Sequence, residues 1–469
     1  MNIGSSDLIV RWWTILTVVL LAAFTLPHFI DFLQVQFWRH DSIYYVLSYG
    51  NKLEGEGRWL NYYAFSSLKL VPAWLSLLVS YGAIGYFAYC CSYRLNRDLW
   101  FSLLLALATL NIPLLRMQLE WPTTLLPAFI LLFLAPWLAR RIPDFVFFPV
   151  YGVLLFGSFS SLYFLLPLLY LPYTSIKTCA RILFLWVASF VFGYLVSQLI
   201  VWEVTGDIIK VAGWRHPKPI DSLLSFTANL QSMWVYLSSH FQFMVATFTA
   251  PLFLLALVWS LAGGSPLRRA ALWGTAGLVF LAPYVTTLPY GIVVSGRTAF
   301  ISMLALLFAL CAHERANHWY RASGALLLLC MGVTMAQVTS AYTDWYKGLT
   351  DGIVKGVREA MPLAPQEVDA VYIRIDDTQW RSFTDWVTRS KALVSPSMFS
   401  EDLGSAHYRR SLVASLGYER VIVCGDGLRG ACEEPLSFPQ KEVIPNYAIY
   451  GQVVEGASIL LSMPHSALE

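Results

Sequence analysis

The 469-residue chain is 57% hydrophobic, 15% aromatic and only 13% charged. Water cannot be its main solvent, because a soluble domain carries about 25% charged residues. Its formal net charge of +3 is too small to argue for a nucleic-acid partner, and no nucleotide-binding fingerprint is present.

Apolar runs of about 20 residues, the length that crosses roughly 30 Å of hydrocarbon, recur to about residue 341 and then stop. The first, residues 9–30, is longer than a signal-peptide core and has no A-x-A-like site after it, so it reads as a span. Eleven spans are expected: 10–30, 68–91, 99–115, 122–139, 145–158, 160–173, 182–203, 242–262, 270–287, 299–312 and 322–341. The fifth and sixth divide one apolar run, 145–173, at the turn-prone Gly157-Ser158-Phe159-Ser160-Ser161.

With the N-terminus in the cytoplasm, the inner connections carry Arg94 and Arg97, Arg140 and Arg141, Lys177 and Arg181, Arg268 and Arg269, and Arg315 and Arg321. Each holds a basic pair, as the positive-inside rule requires. The outer loops are then 31–67, 204–241 and 288–298, and the tail lies outside.

The first outer loop is rich in polar groups. Asp41 leads a segment whose Ile43, Val46 and Leu47 fall at helical spacing among Tyr44, Tyr45 and Tyr49, which describes an interfacial helix. At a helix N-terminus, backbone N–H groups keep an Asp ionised; Asp41 is a candidate general base or simply the helix cap. The turn Gly55-Glu56-Gly57-Arg58-Trp59 can lift the chain back toward the membrane, with Arg58 either aimed at the same cavity or snorkelling to the interface.

Arg116 and Glu120-Trp121 place a polar pair in the short second outer loop. Further on, Trp214-Arg215-His216-Pro217-Lys218 gathers three phosphate-binding groups stiffened by proline, and Ser295-Gly296-Arg297 puts an arginine before the tenth span. Basic clusters on the outside call for an anionic partner, either a lipid headgroup that merely anchors them or a substrate phosphate.

Residues 342–469 read as a small soluble α/β domain: a helix over 342–361, a break at Met361-Pro-Leu-Ala-Pro365, and strands over 368–375 and 419–424. The tail's two cysteines bound a glycine-rich loop, Cys424-Gly-Asp-Gly-Leu-Arg-Gly-Ala-Cys432, suited to a disulfide in an oxidising compartment. Two cysteines without nearby His partners cannot make a zinc site, and Asp376-Asp377 reads as a solvated strand end. No chemistry is assigned to the tail.

Asp41, the run Gly57-Arg58-Trp59-Leu60 and the distant Ser295-Gly296-Arg297, set among many spans with an outside tail, resemble the Gtr-type O-antigen glucosyltransferases of the GT-C superfamily. The likeness covers the first 341 residues or so. It implies a polytopic α-helical, GT-C-like enzyme of the bacterial inner membrane with a periplasmic tail domain. Its activity would be transfer of a hexose, glucose by the resemblance, from undecaprenyl phosphate to O-antigen or another lipid-linked glycan. Asp41 would be the base; Arg58, Arg297, Arg215, His216 and Lys218 would hold the donor phosphate; Trp59, Tyr44, Tyr45, Glu120, Trp214 and Trp38 would contact sugar.

The family often has paired aspartates where this chain has Asp41-Ser42, so no cofactor is called for and a divalent metal is left open. Implied partners are the lipid-linked donor, a lipopolysaccharide or lipid-linked glycan acceptor, membrane lipids, a donor flippase and a polyprenyl-phosphate-sugar synthase. A glycan polymerase or ligase, a lipid-linked glycan flippase, and a scaffold carrying a binding tail are the competing readings. A transporter should hold ionisable groups deep within its spans, which here are nearly free of charge.

Overall fold

The structure, a computed structural model, describes residues 5–35, 49–173, 175–211, 215, 217–262, 266–292, 294–311, 318–374, 406–424, 432, 440–444, 447–454 and 457–466. It divides into two compact units: Met1–Phe29 with Tyr49–Ser340, and Ile30–Ser48 with Ala341–Glu469.

The first unit is helical. Its elements are α1 (Ser5–Leu33), α2 (Gly50–Glu56), α3 (Trp59–Leu68), α4 (Ala73–Asn96), α5 (Leu99–Leu110), α6 (Pro113–Gln118), α7 (Pro122–Leu138), α8 (Asp144–Phe156), a 3₁₀ helix (Ser160–Tyr170), α9 (Ile176–Thr205), α10 (Leu223–Phe248), α11 (Ala250–Ala262), α12 (Pro266–Val285), α13 (Phe300–Cys311) and the start of α14 (His318–Ala360).

Among the described residues, five helices are long and apolar enough to cross a membrane: Leu8–Leu33, Ala73–Asn96, Ile176–Thr205, Pro266–Tyr290 and Trp319–Ala360. A sixth span results if α10 and α11, bent by 93° at their junction, are counted as one. The chain is a helical membrane protein.

By length and composition this is five or six spans, where the hydropathy pattern suggests eleven. The difference lies in α5, α7, α8, the 3₁₀ helix and α13, which are apolar but only 11 to 17 residues long. At 1.5 Å per residue the 12 residues of α13 reach about 18 Å, well short of the hydrocarbon thickness. Every residue of α13 is nonetheless buried. Apolar composition is shared by a helix that faces lipid and one that is enclosed by protein, so hydropathy counts both alike. The 145–173 run does break where its glycine and serines stand: α8 ends at Phe156 and the 3₁₀ helix begins at Ser160.

Local packing explains why particular helices pair. A Cβ on Gly152 would stand 2.5 Å from the Ser189 carbonyl oxygen, and one on Gly193 would stand 2.6 Å from the Gly152 backbone. Helices α8 and α9 therefore meet backbone to backbone, as small residues permit within membranes.

In the second unit, β1 (Val371–Arg374), β2 (Val421–Val423), β3 (Gln440–Ile444), β4 (Tyr447–Val454) and β5 (Ser458–Ser466) form one sheet in the order β2-β1-β5-β4-β3. β1 pairs in parallel with β2 and β5, and β3, β4 and β5 run antiparallel. Helix α15 (Ala406–Ser415) lies between β1 and β2 in sequence. Cys424 and Cys432 form a disulfide with Cα atoms 5.8 Å apart. The helix expected over 342–361 is the continuation of α14, with Lys347 Nζ donating to Asp31 Oδ1 at 3.1 Å and Gln34 Oε1 at 3.2 Å.

Gly152→Val should lower the thermal unfolding midpoint of the purified protein, at a cost of about 1–3 kcal/mol for overpacking. Gly82→Ala is the control: a Cβ there meets nothing within 4 Å, so its midpoint should hold or rise. Equal midpoints for Gly152→Val and wild type would show that α8 and α9 do not meet this closely.

Candidate functional site

The site is organised by one tight turn. Helix α2 ends at Gly57, which adopts φ +68°, and the Gly57 and Arg58 amides donate to the Leu53 and Lys52 carbonyls at 2.9 and 3.3 Å. This is a left-handed C-cap, a position that favours glycine. Glycine is needed for space as well, because a Cβ at 57 would stand 2.5 Å from the Ile209 side chain.

The turn brings Arg58 back beside Glu56, Nη2 to Oε2 at 2.5 Å, while Lys52, one helical turn earlier, pairs with the other oxygen. Arg215 reaches the same carboxylate at 3.4 Å. Backbone contacts hold the 206–211 stretch beside α2, for Lys210 N donates to Glu54 O at 3.0 Å and Ile209 N to Gln198 Oε1 at 2.8 Å. Glu56, Lys52 and Arg58 all have side chains no more than 10% exposed.

Trp121 forms the neighbouring wall. The guanidinium carbon of Arg297 lies 3.4 Å from its ring centroid and Lys52 Nζ lies 5.6 Å from it, while Arg58 stands over Phe159 at 5.4 Å. Such cation–π contacts let cations stay buried without a carboxylate for each. Trp121 follows Glu120 in the chain, and both are buried. Asn61 fixes the base of the site: its amide donates to the Tyr49 hydroxyl at 3.1 Å and to Thr124 O at 2.7 Å.

Burial alone would push the Glu56 carboxyl up, but the charges of Arg58, Lys52 and Arg215 outweigh it and hold it well below the usual carboxylate range. Burial pushes Lys52 down to about 8, Glu56 opposing. Glu56 is thus a fixed anion, unsuited to take up protons near neutral pH.

Among the expected site residues, the structure brings Arg58, Arg215 and Arg297 together and sets Glu120 beside Trp121. Trp59 packs its indole on Gly157, and its buried Nε1 has no hydrogen-bond partner among the described residues. Lys218 is exposed, held through its backbone by Tyr290 O and Asn229. Asp41, Tyr44, Tyr45, Trp38, Trp214 and His216 lie outside the described residues.

Sequence reasoning passed over Lys52, Glu56, Tyr49 and Asn61. Lys52 and Glu56 carried a usable signal, four residues apart and followed by a glycine and an arginine. Among the described residues, no three His, Cys, Asp or Glu side chains gather as a metal site. The cluster itself repels a divalent cation, since Glu56 is already held by three positive groups.

The fold and this cluster define a multi-pass helical membrane protein with a buried, cation-rich site built from segments far apart in sequence. No family model, no curated protein and no solved structure matches the chain.

Glu56→Gln should destabilise the protein by about 3–5 kcal/mol, since it leaves buried cations uncompensated; a thermal midpoint within error of wild type would refute that role. The pH response follows from Lys52. Its folded pKa of about 8 lies below its ordinary 10.5, so between those values the unfolded chain binds more protons, and this group makes stability rise with pH. Binding of inorganic phosphate should move the opposite way, weakening as pH climbs through about 8, and Lys52→Arg should remove that inflection.

Proposed function

We propose that the chain is a glycosyltransferase of the bacterial inner membrane that moves a hexose from undecaprenyl phosphate to O-antigen or another lipid-linked glycan on the periplasmic face. The observation that carries this reading is the gathering of Lys52, Arg58, Arg215 and Arg297 around Glu56 and Trp121, inside the protein. Guanidinium and ammonium groups gathered in this way suit a ligand that brings negative charge with it.

A lipid-linked sugar phosphate is such a ligand, and the residue resemblance names that class. In the proposed reaction the acceptor oxygen attacks the anomeric carbon, and the bond from that carbon to the phosphate oxygen breaks. The phosphate gains charge as it departs, and Arg58, Arg215, Arg297 and Lys52 stabilise that charge in a water-poor site. Asp41 accepts the acceptor's proton. Glu56 holds the cations in place and takes no proton. The half-buried indole of Trp59 offers an apolar face for a sugar ring.

The glucosyl identity, a GT-C-like arrangement and the periplasmic position of the tail belong to this proposal and rest on the resemblance and the loop charges. Mass spectrometry of lipopolysaccharide tests it, comparing cells with the wild-type chain, Arg58→Met, Asp41→Asn and no chain, at matched membrane levels. Wild type should add a hexose, and each variant should lose transfer by a factor of about 10² or more. Glycan unchanged by the wild-type chain would overturn the reading. Lipid-linked glycan retained on the cytoplasmic leaflet when the chain is absent would replace it with transport.

A further inference from the structure

A second feature of the first unit stands apart from the cation cluster. Helices α1, α4 and α5 enclose a cavity of about 460 Å³, and none of Lys52, Glu56, Arg58, Arg215 or Arg297 lines it. The space exists because its walls carry small residues: Ala22 and Ala23 on α1, Gly82 and Gly85 on α4. A Cβ at Gly82 would meet nothing within 4 Å. Two of its other lining residues, Leu26 and Leu78, are about half exposed, so the cavity opens sideways. Both α1 and α4 are candidate spans, and what lies beside them is hydrocarbon.

The lining is apolar except for Thr25, Tyr81 and Arg116. Arg116 is held in place: Nη2 donates to His28 Nδ1 at 2.8 Å, and the guanidinium stands over the Tyr81 ring at 5.1 Å. Because arginine only donates, His28 carries its proton on Nε2, which donates to Asn111 Oδ1 at 3.0 Å. Asn111 in turn donates to Thr25 Oγ1 at 2.7 Å. The Tyr81 hydroxyl is buried with no hydrogen-bond partner among the described residues. A guanidinium fixed in the wall of an apolar, laterally open space presents its charge to an anion that reaches in from the bilayer.

We propose that this cavity holds one chain of an anionic phospholipid, with the headgroup phosphate drawn to Arg116 and the Tyr81 hydroxyl. The lipid is a resident of the bilayer and distinct from the sugar donor, since the cation cluster proposed for the donor phosphate has no part in the cavity. The assignment does not depend on the glycosyltransferase reading.

Native mass spectrometry of the purified full-length protein, incubated with equal phosphatidylglycerol and phosphatidylcholine and, separately, with undecaprenyl phosphate, tests it. Wild type should retain one phosphatidylglycerol at about tenfold excess over phosphatidylcholine, as one charge-assisted contact predicts. Gly82→Leu, whose Cβ enters open space and whose larger side chain occupies the cavity, should lose the bound lipid. Arg116→Gln should keep a chain but lose the tenfold preference. Arg58→Met should retain phosphatidylglycerol even where hexose transfer is lost, which separates this proposal from the preceding one. Equal retention of the two phospholipids by wild type, or retention unaffected by Gly82→Leu, would overturn it. Preferential retention of undecaprenyl phosphate, abolished by Gly82→Leu, would overturn it too, by making the cavity the donor's tail site.

Discussion

The ion pair between Glu56 and Arg58 across the Gly57 turn is the constraint on which the site depends. Two residues apart, they would stand on opposite sides of a continuing helix. The left-handed glycine folds the chain back, so a single carboxylate faces a guanidinium ahead of it and an ammonium one turn behind. Arg215 is then drawn to an anion already in place, and the 206–211 stretch packs Ile209 into the space where Gly57 lacks a side chain. Removing that space would disturb both segments at once.

Burying this many charges is unfavourable unless each finds a partner. Glu56 meets three cations, Trp121 receives Arg297 and Lys52 on its indole, and Phe159 supports Arg58. The aromatic content noted in the composition therefore has a local use beside its place in the core. The aromatics allow positive charge to accumulate out of water, where it acts more strongly on an anion than it would at an exposed surface.

Several elements were legible in the sequence because their signals are local. The break near Gly157, the strands beginning near Val371 and Val421, and the turn that aims Arg58 follow from glycine, proline and alternation. That α5, α8 and α13 are too short to count as spans was not legible from their composition, since an apolar run does not say whether lipid or protein surrounds it. Strands β3, β4 and β5 escaped because their irregular alternation is organised by pairing within the sheet. Arg58, Arg215 and Arg297 could each be suspected as phosphate ligands from their neighbours in sequence. Their convergence could not, because nothing in a linear chain records that residues 58, 121, 215 and 297 share one site.

That separation also sets an order of events during synthesis. Lys52, Glu56 and Arg58 leave the ribosome together and can neutralise most of one another's charge without help from later sequence. Arg215 follows on the order of ten seconds or more afterwards, at roughly 5–20 residues per second, and Arg297 later still. The nascent chain therefore need not expose an unmatched glutamate to the membrane while it waits. Positive charge is added in later stages, first with Arg215 and then with the segment carrying Arg297, so a chain interrupted before that point holds only part of the cation cluster.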